Sequence, residues 1–159
     1  MNHSRKTGFH FGLTSGVITT MGLMVGLDSS THSSAVVISG ILIIAITDAL
    51  SDAMGIHMSE ESEGKHSEKE IWEATVTTFF SKFVFALTFL VPILLFQLSA
   101  AVIIGVVWGL LVITVSSLRM VSHKGQKTNY RPVFEHLLIA IVVVVLTYFI
   151  GSWIRGFVH

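Results

Sequence analysis

The chain has 159 residues, of which 52% are apolar and only 13% charged, and its mean hydropathy is +0.75. A soluble domain carries about 25% charged residues, so this composition excludes an ordinary soluble globule and points to an all-α integral membrane protein, a single domain over 1–159. The absence of cysteine rules out disulfides, iron–sulfur clusters and thiolate zinc sites, and ten basic against ten acidic residues leave no basic tract for nucleic acid.

About 20 apolar residues suffice to cross a bilayer. Five runs are that long, at 9–27, 35–54, 76–96, 100–121 and 133–153. Arg5 and Lys6 precede the first run, which is rich in Gly and Thr and shows no obvious cleavage site, so it reads as a retained span. The short links at 28–34 and 97–100 suit tight hairpins, whereas those at 59–73 and 122–132 are longer and polar. Lys65 and Lys69 lie between spans two and three. Arg119, Lys124, Lys127 and Arg131 lie between spans four and five, and the C-terminal tail holds only Arg155. The positive-inside rule places the N-terminus and both long links in the cytoplasm and the C-terminus outside or in a lumen. The expected location is the cell (inner) membrane, or a vacuolar membrane in a eukaryote.

Span one carries small residues on one stripe: Gly8, Gly12, Ser15, Thr19, Gly22 and Gly26. Small stripes let helices approach closely in lipid. The plain reading is packing within one bundle; the sharper one is a two-fold partner or a cation path lined by carbonyls and hydroxyls.

Span two carries the chemistry. An acidic side chain at mid-bilayer costs roughly 2.5–3.5 kcal/mol, yet Asp48 and Asp52 stand four residues apart on one helix face. Gly55 and Ser59 share that face, with Ser51 beside it, while Met54, Met58 and Glu61 form a second line and His57 lies on the far side. Carboxylate, thioether and imidazole together suit a borderline divalent metal such as Fe²⁺ or Mn²⁺. Packing is the ordinary role of such methionines, and solvation that of a histidine at a helix exit.

Lys82, inside span three, competes with any metal. An ion pair with Asp48 or Asp52 explains all three charges without a transported ion; snorkelling to the interface is a second reading, and exchange with a cation a third. The segment at 59–73 reads as a short acidic cytoplasmic loop, with Glu60, Glu61, Glu63, Glu68, Glu70 and Glu73 around His66. Glu70 and Glu73 can share one face of a helix running into span three, so the segment is either a solvated helical connector or a trap that raises local cation concentration. Glu135 and His136 open span five beside Arg131. No nucleotide loop, nucleophile triad or HExxH occurs, so no enzyme is expected; paired carboxylates that can hold a proton make proton coupling chemically reasonable.

The segments FGLTSGVITTMGLMVGL in span one and TDALSDAMGIHMSEESE in span two resemble the vacuolar iron transporter family. FLVPILLF and PVFEHLLIAIVVVVLTYFIG in spans three and five add to the likeness, which covers nearly the whole chain. The resemblance implies a five-helix homodimer that exports Fe²⁺ or Mn²⁺ from the cytosol in exchange for protons, along a path between subunits lined by spans one and two. The chain departs from that pattern at three positions. Ser15 stands where the family usually has Asp, Asp52 where it has Met, and Ile56 where it has Glu. The link at 59–73 is also too short for the family's Glu-rich metal-binding domain.

Together these readings give expected metal ligands at Asp48, Asp52, Met54, His57, Glu60, Glu61 and Glu63. The expected path is lined by Ser15, Thr19, Gly22, Ser51, Gly55 and Met58, with Lys82 as candidate counter-ion. Fe²⁺ or Mn²⁺ is cargo, and no permanently bound cofactor is expected. The alternatives are a non-transporting membrane scaffold of the same fold, or a carrier of another cation or small solute.

Overall fold

The structure, a computed structural model, describes residues 3–122 and 130–158. Lys124 and Lys127, two of the residues used to orient the chain, lie outside the described residues. Every element described is a helix: α1 His3–Thr31, α2 Ser34–Glu63, α3 Glu68–Thr88, α4 Leu90–Leu95, α5 Leu98–Ser122 and α6 Arg131–Val158. Among the described residues, five segments are long and apolar enough to cross a membrane: Ser4–Thr31, Ser34–Glu63, Glu68–Leu95, Leu98–Val121 and Arg131–Phe157.

Two features of the helix ends have local causes. The third span is broken at Phe89, whose N–H turns back to Ala86 O at 3.2 Å. Pro92 follows three residues later. It has no N–H, and its ring crowds the carbonyl four residues back, so α3 ends and α4 begins. The acidic segment at 59–73 is helical for most of its length, and only residues 64–67 connect α2 to α3. Gly64 ends α2 in the left-handed region at φ +63°, a conformation that suits glycine. Ser67 starts α3 with a capping box: Glu70 N–H donates to Ser67 Oγ, and Ser67 N–H donates to Glu70 Oε2 at 2.9 Å.

The chain gathers into two compact units. One takes the residues up to Thr20 with Ile41–Leu90; the other takes Met21–Gly40 and the residues from Val91 on. In the first unit, glycines of α1 meet α3. A Cβ on Gly12 would lie 2.5 Å from Thr78 O, and one on Gly16 would lie 2.9 Å from Lys82 O. Without side chains at these positions, the two backbones come close enough to seal what lies between them. Phe9 meets Phe85 edge-on at 6.3 Å, and Arg5 pairs with Glu73 at 2.9 Å.

The second unit repeats the device with other partners. A Cβ on Gly22 would lie 2.6 Å from Val143 Cγ1 of α6, and Gly26 faces Thr147. Ser117 Oγ and His136 Nδ1 join α5 to α6 at 2.8 Å. Within each unit, glycines of the span-one stripe meet a neighbouring helix. Gly22, expected to line a path, faces Val143 of α6.

Candidate functional site

The site lies in the first unit and draws on three helices. Asp48 and Asp52 are one helical turn apart on α2, so their carboxylates reach to the same side. Lys82 comes from the middle of α3 and Ser15 from the middle of α1. Lys82 is 2% exposed, because α1 closes over it at Gly16, where a Cβ would lie 3.0 Å from Lys82 Cγ.

A buried ammonium needs partners for its three N–H donors. Lys82 Nζ donates to Asp52 Oδ2 and, at 2.9 Å, to Ser15 Oγ. Ser15 in turn donates to the same Asp52 Oδ2 at 2.7 Å. Asp48 Oδ2 lies 2.6 Å from Nζ as an ion pair, without the second contact that Ser15 gives Asp52. The two aspartates are therefore held differently. Asp52 is braced a second time through Ser15, whereas Asp48 meets Lys82 alone.

Two carboxylates face one ammonium, so with all three ionised one negative charge is unmatched. The carboxylates are not sealed as Lys82 is, their side chains being 26% and 21% exposed for Asp48 and Asp52. In a weakly polar environment an unmatched charge is costly. A proton or a cation arriving from the exposed side of the carboxylates would offset it.

The other expected ligands do not converge here. Met54 and Met58 are about 60% exposed on α2. His57 Nδ1 is 2.9 Å from Thr75 Oγ1, and its ring stands edge-on to Trp72 at 4.8 Å, so it packs against α3. Glu60 pairs with His66 at 3.3 Å, and Glu63 with Lys65 at 3.7 Å. Glu61 is exposed. Among the described residues no three His, Asp or Glu side chains gather to hold a metal ion.

Of the expected path, Ser15 is at the site, while Thr19 turns its hydroxyl to Ser15 O on its own helix at 2.9 Å. Ser51 and Gly55 are exposed, and a Cβ on Gly55 would meet nothing within 4 Å. Gly16 was missed as a site residue, although it is what closes α1 over Lys82. Its signal was the repeated four-residue spacing of Gly8, Gly12 and Gly16.

No protein-family model matches the chain, and no curated protein matches it either.

Proposed function

We propose that the chain is a multi-pass membrane protein that carries cations by secondary transport through the Asp48–Asp52–Lys82 cluster. The observation that carries this reading is the unequal clamp itself: one sealed ammonium faces two partly open carboxylates, leaving a single negative charge unmatched. Intramembrane ionisable groups of this kind mark ion paths and proton relays. Five membrane-length helices and exposed apolar side chains such as Ile43, Leu94, Ile103 and Phe149 support insertion in a bilayer.

In this reading Lys82 is the internal cation of the empty state. A divalent ion brings two positive charges to a cluster that lacks one, so its entry requires Lys82 to swing aside or release a proton. That requirement links cation entry to proton movement. Fe²⁺ and Mn²⁺ are the first cargoes to test, on the strength of the resemblance to vacuolar iron transporters. With only two carboxylates on one chain, a metal would need further ligands, and a second copy across a two-fold axis would double the set. The orientation with both long links in the cytoplasm and the cell or vacuolar location belong to the same proposal.

The test is ion flux into proteoliposomes, with Fe²⁺, Mn²⁺, Zn²⁺ and Co²⁺ at two pH values. The D48N/D52N double substitution is expected to abolish metal flux and the accompanying pH change. Normal flux in that variant would overturn the proposal.

A second reading is a non-transporting scaffold, and one observation favours it: Lys82 already fills the place between the carboxylates with a charge of its own. It would be supported if the wild type moved none of these ions while Lys82 remained essential for folding.

A further inference from the structure

Where α1 ends, the second unit holds a histidine in a backbone conformation uncommon outside glycine. His32 has φ +48°, in the left-handed region where glycine usually ends a helix. Its N–H donates to Asp28 O at 3.0 Å and closes the last turn of α1. Ser33 follows at once and caps α2, its Oγ accepting from Val36 N–H at 3.4 Å and its carbonyl from Val37 N–H at 3.0 Å. A side chain kept where glycine would be less strained calls for contacts that only the side chain makes.

The imidazole makes two. Nδ1 lies 3.5 Å from Asp28 Oδ1, and Nε2 meets Arg155 Nη1 of α6. A guanidinium has donors and no acceptor, so Nε2 must accept and carry no proton. The one proton of a neutral imidazole then sits on Nδ1 and faces the carboxylate. Neutral His32 therefore satisfies Arg155 and Asp28 together. Protonated His32 carries N–H on both nitrogens. The side toward Asp28 becomes a full ion pair, while the side toward Arg155 sets donor against donor and cation against cation.

Few other charges bear on this balance. Residues 21–47 contain no titratable side chain besides Asp28 and His32, and residues 91–118 contain none. From residue 142 on, α6 brings Tyr148 and Arg155, and His159 lies outside the described residues. Tyr148 and Asp28 border a mostly apolar hollow of about 440 Å³. The His32 side chain is 62% exposed, so protons reach it from solvent. One turn before Arg155, α6 is pinned: a Cβ on Gly151 would run into Ser29 Oγ and Gly26 O of α1. Beyond the pin, Trp153, Ile154 and Phe157 are exposed, and a Cβ on Gly156 would meet nothing within 4 Å. The contact of Arg155 with His32 is what ties this last stretch to α1.

We propose that Asp28, His32 and Arg155 form a proton-sensitive latch. It holds the end of α6 to the α1–α2 turn while His32 is neutral, and releases it when His32 takes up a proton. The latch does not depend on transport, so absence of ion flux leaves it standing.

The chain has no cysteine, so a nitroxide label can be placed at one position at a time. It goes on F157C, beyond the pin, or on F149C, before it, both at exposed positions. The full chain also carries H159Q, which removes the other histidine of this stretch, and is placed in lipid nanodiscs. Electron paramagnetic resonance line shapes are read from about pH 8 to about pH 5, the range in which an imidazole changes charge, at fixed ionic strength. The label at position 157 is expected to be restrained at high pH and to become mobile as the pH falls, while the label at position 149 does not change. H32N keeps a group that can accept from Arg155 and suits the left-handed region, but it cannot take up a proton. It should abolish the pH response at position 157. R155A should free that label at every pH. A label at position 157 that ignores pH, or a response that persists in H32N, would overturn the proposal. So would equal responses at positions 149 and 157, or an R155A label as restrained as the unaltered latch at high pH.

Discussion

Lys82 and Asp52 are joined twice. Lys82 Nζ donates directly to Asp52 Oδ2, and the Ser15 hydroxyl closes a second route, accepting from Nζ at 2.9 Å and donating to the same oxygen at 2.7 Å. Asp48 has only its ion pair with Nζ at 2.6 Å. Hydrogen bonds to charged groups contribute about 1.5–3 kcal/mol. D52N leaves Ser15 and Lys82 without their carboxylate and should lower stability by about 2–3 kcal/mol. D48N removes the unmatched negative charge and should cost about 1 kcal/mol or less. Thermal unfolding of the two variants in detergent checks this, and equal losses would remove the distinction between the aspartates.

Gly16 and Gly55 make an internal control for the packing claim. G16A puts a methyl 2.9 Å from Lys82 O, so α1 must shift away from α3, at a cost of about 1–3 kcal/mol. The shift also moves Ser15, its neighbour in sequence, and should reduce any flux carried by the cluster. G55A meets nothing within 4 Å on an exposed helix face and should stabilise α2 by about 0.5–1 kcal/mol. Unfolding midpoints and flux of the two variants, measured side by side, separate close approach from mere loss of glycine.

His57 tests whether the far end of α2 gathers metal. Its Nδ1 is taken by Thr75, and its ring by Trp72. H57Q is therefore expected to lower stability by about 1 kcal/mol while leaving the concentration dependence of metal uptake unchanged. A raised half-saturation concentration in H57Q would return this residue to the entry path.

The spans were legible because crossing a bilayer is a matter of length and composition, and five apolar runs carry that signal in their residues alone. The break at Phe89 was not, because a hydropathy run such as 76–96 does not register the hydrogen bond that Pro92 cannot make. The acidic connector was legible as helical, but its ends were not: they are set by Gly64 and by the Ser67–Glu70 capping box on either side of a four-residue turn.

At the site, the pairing of Lys82 with the aspartates was one of several readings open to depth and charge. Which aspartate is braced was hidden. It depends on where Ser15 sits, and that follows from how closely Gly12 and Gly16 let α1 approach residues of α3 more than sixty positions away. The glutamates at Glu60, Glu61 and Glu63 looked like one cluster in one dimension. In the fold, His66 engages Glu60 and Lys65 engages Glu63, while Glu61 is exposed.

The most direct measurement is the unfolding temperature of K82Q, with and without Mn²⁺ at constant ionic strength. Lys82 is 2% exposed and faces both carboxylates, so its loss should cost about 3–5 kcal/mol. If a cation can take the place of the ammonium, Mn²⁺ should recover about 2.7 kcal/mol at a hundredfold excess over its dissociation constant. It should have far less effect on the wild type and none on K82Q/D48N/D52N. A K82Q protein as stable as the wild type, or one that Mn²⁺ does not rescue, would contradict a cation site at Asp48 and Asp52.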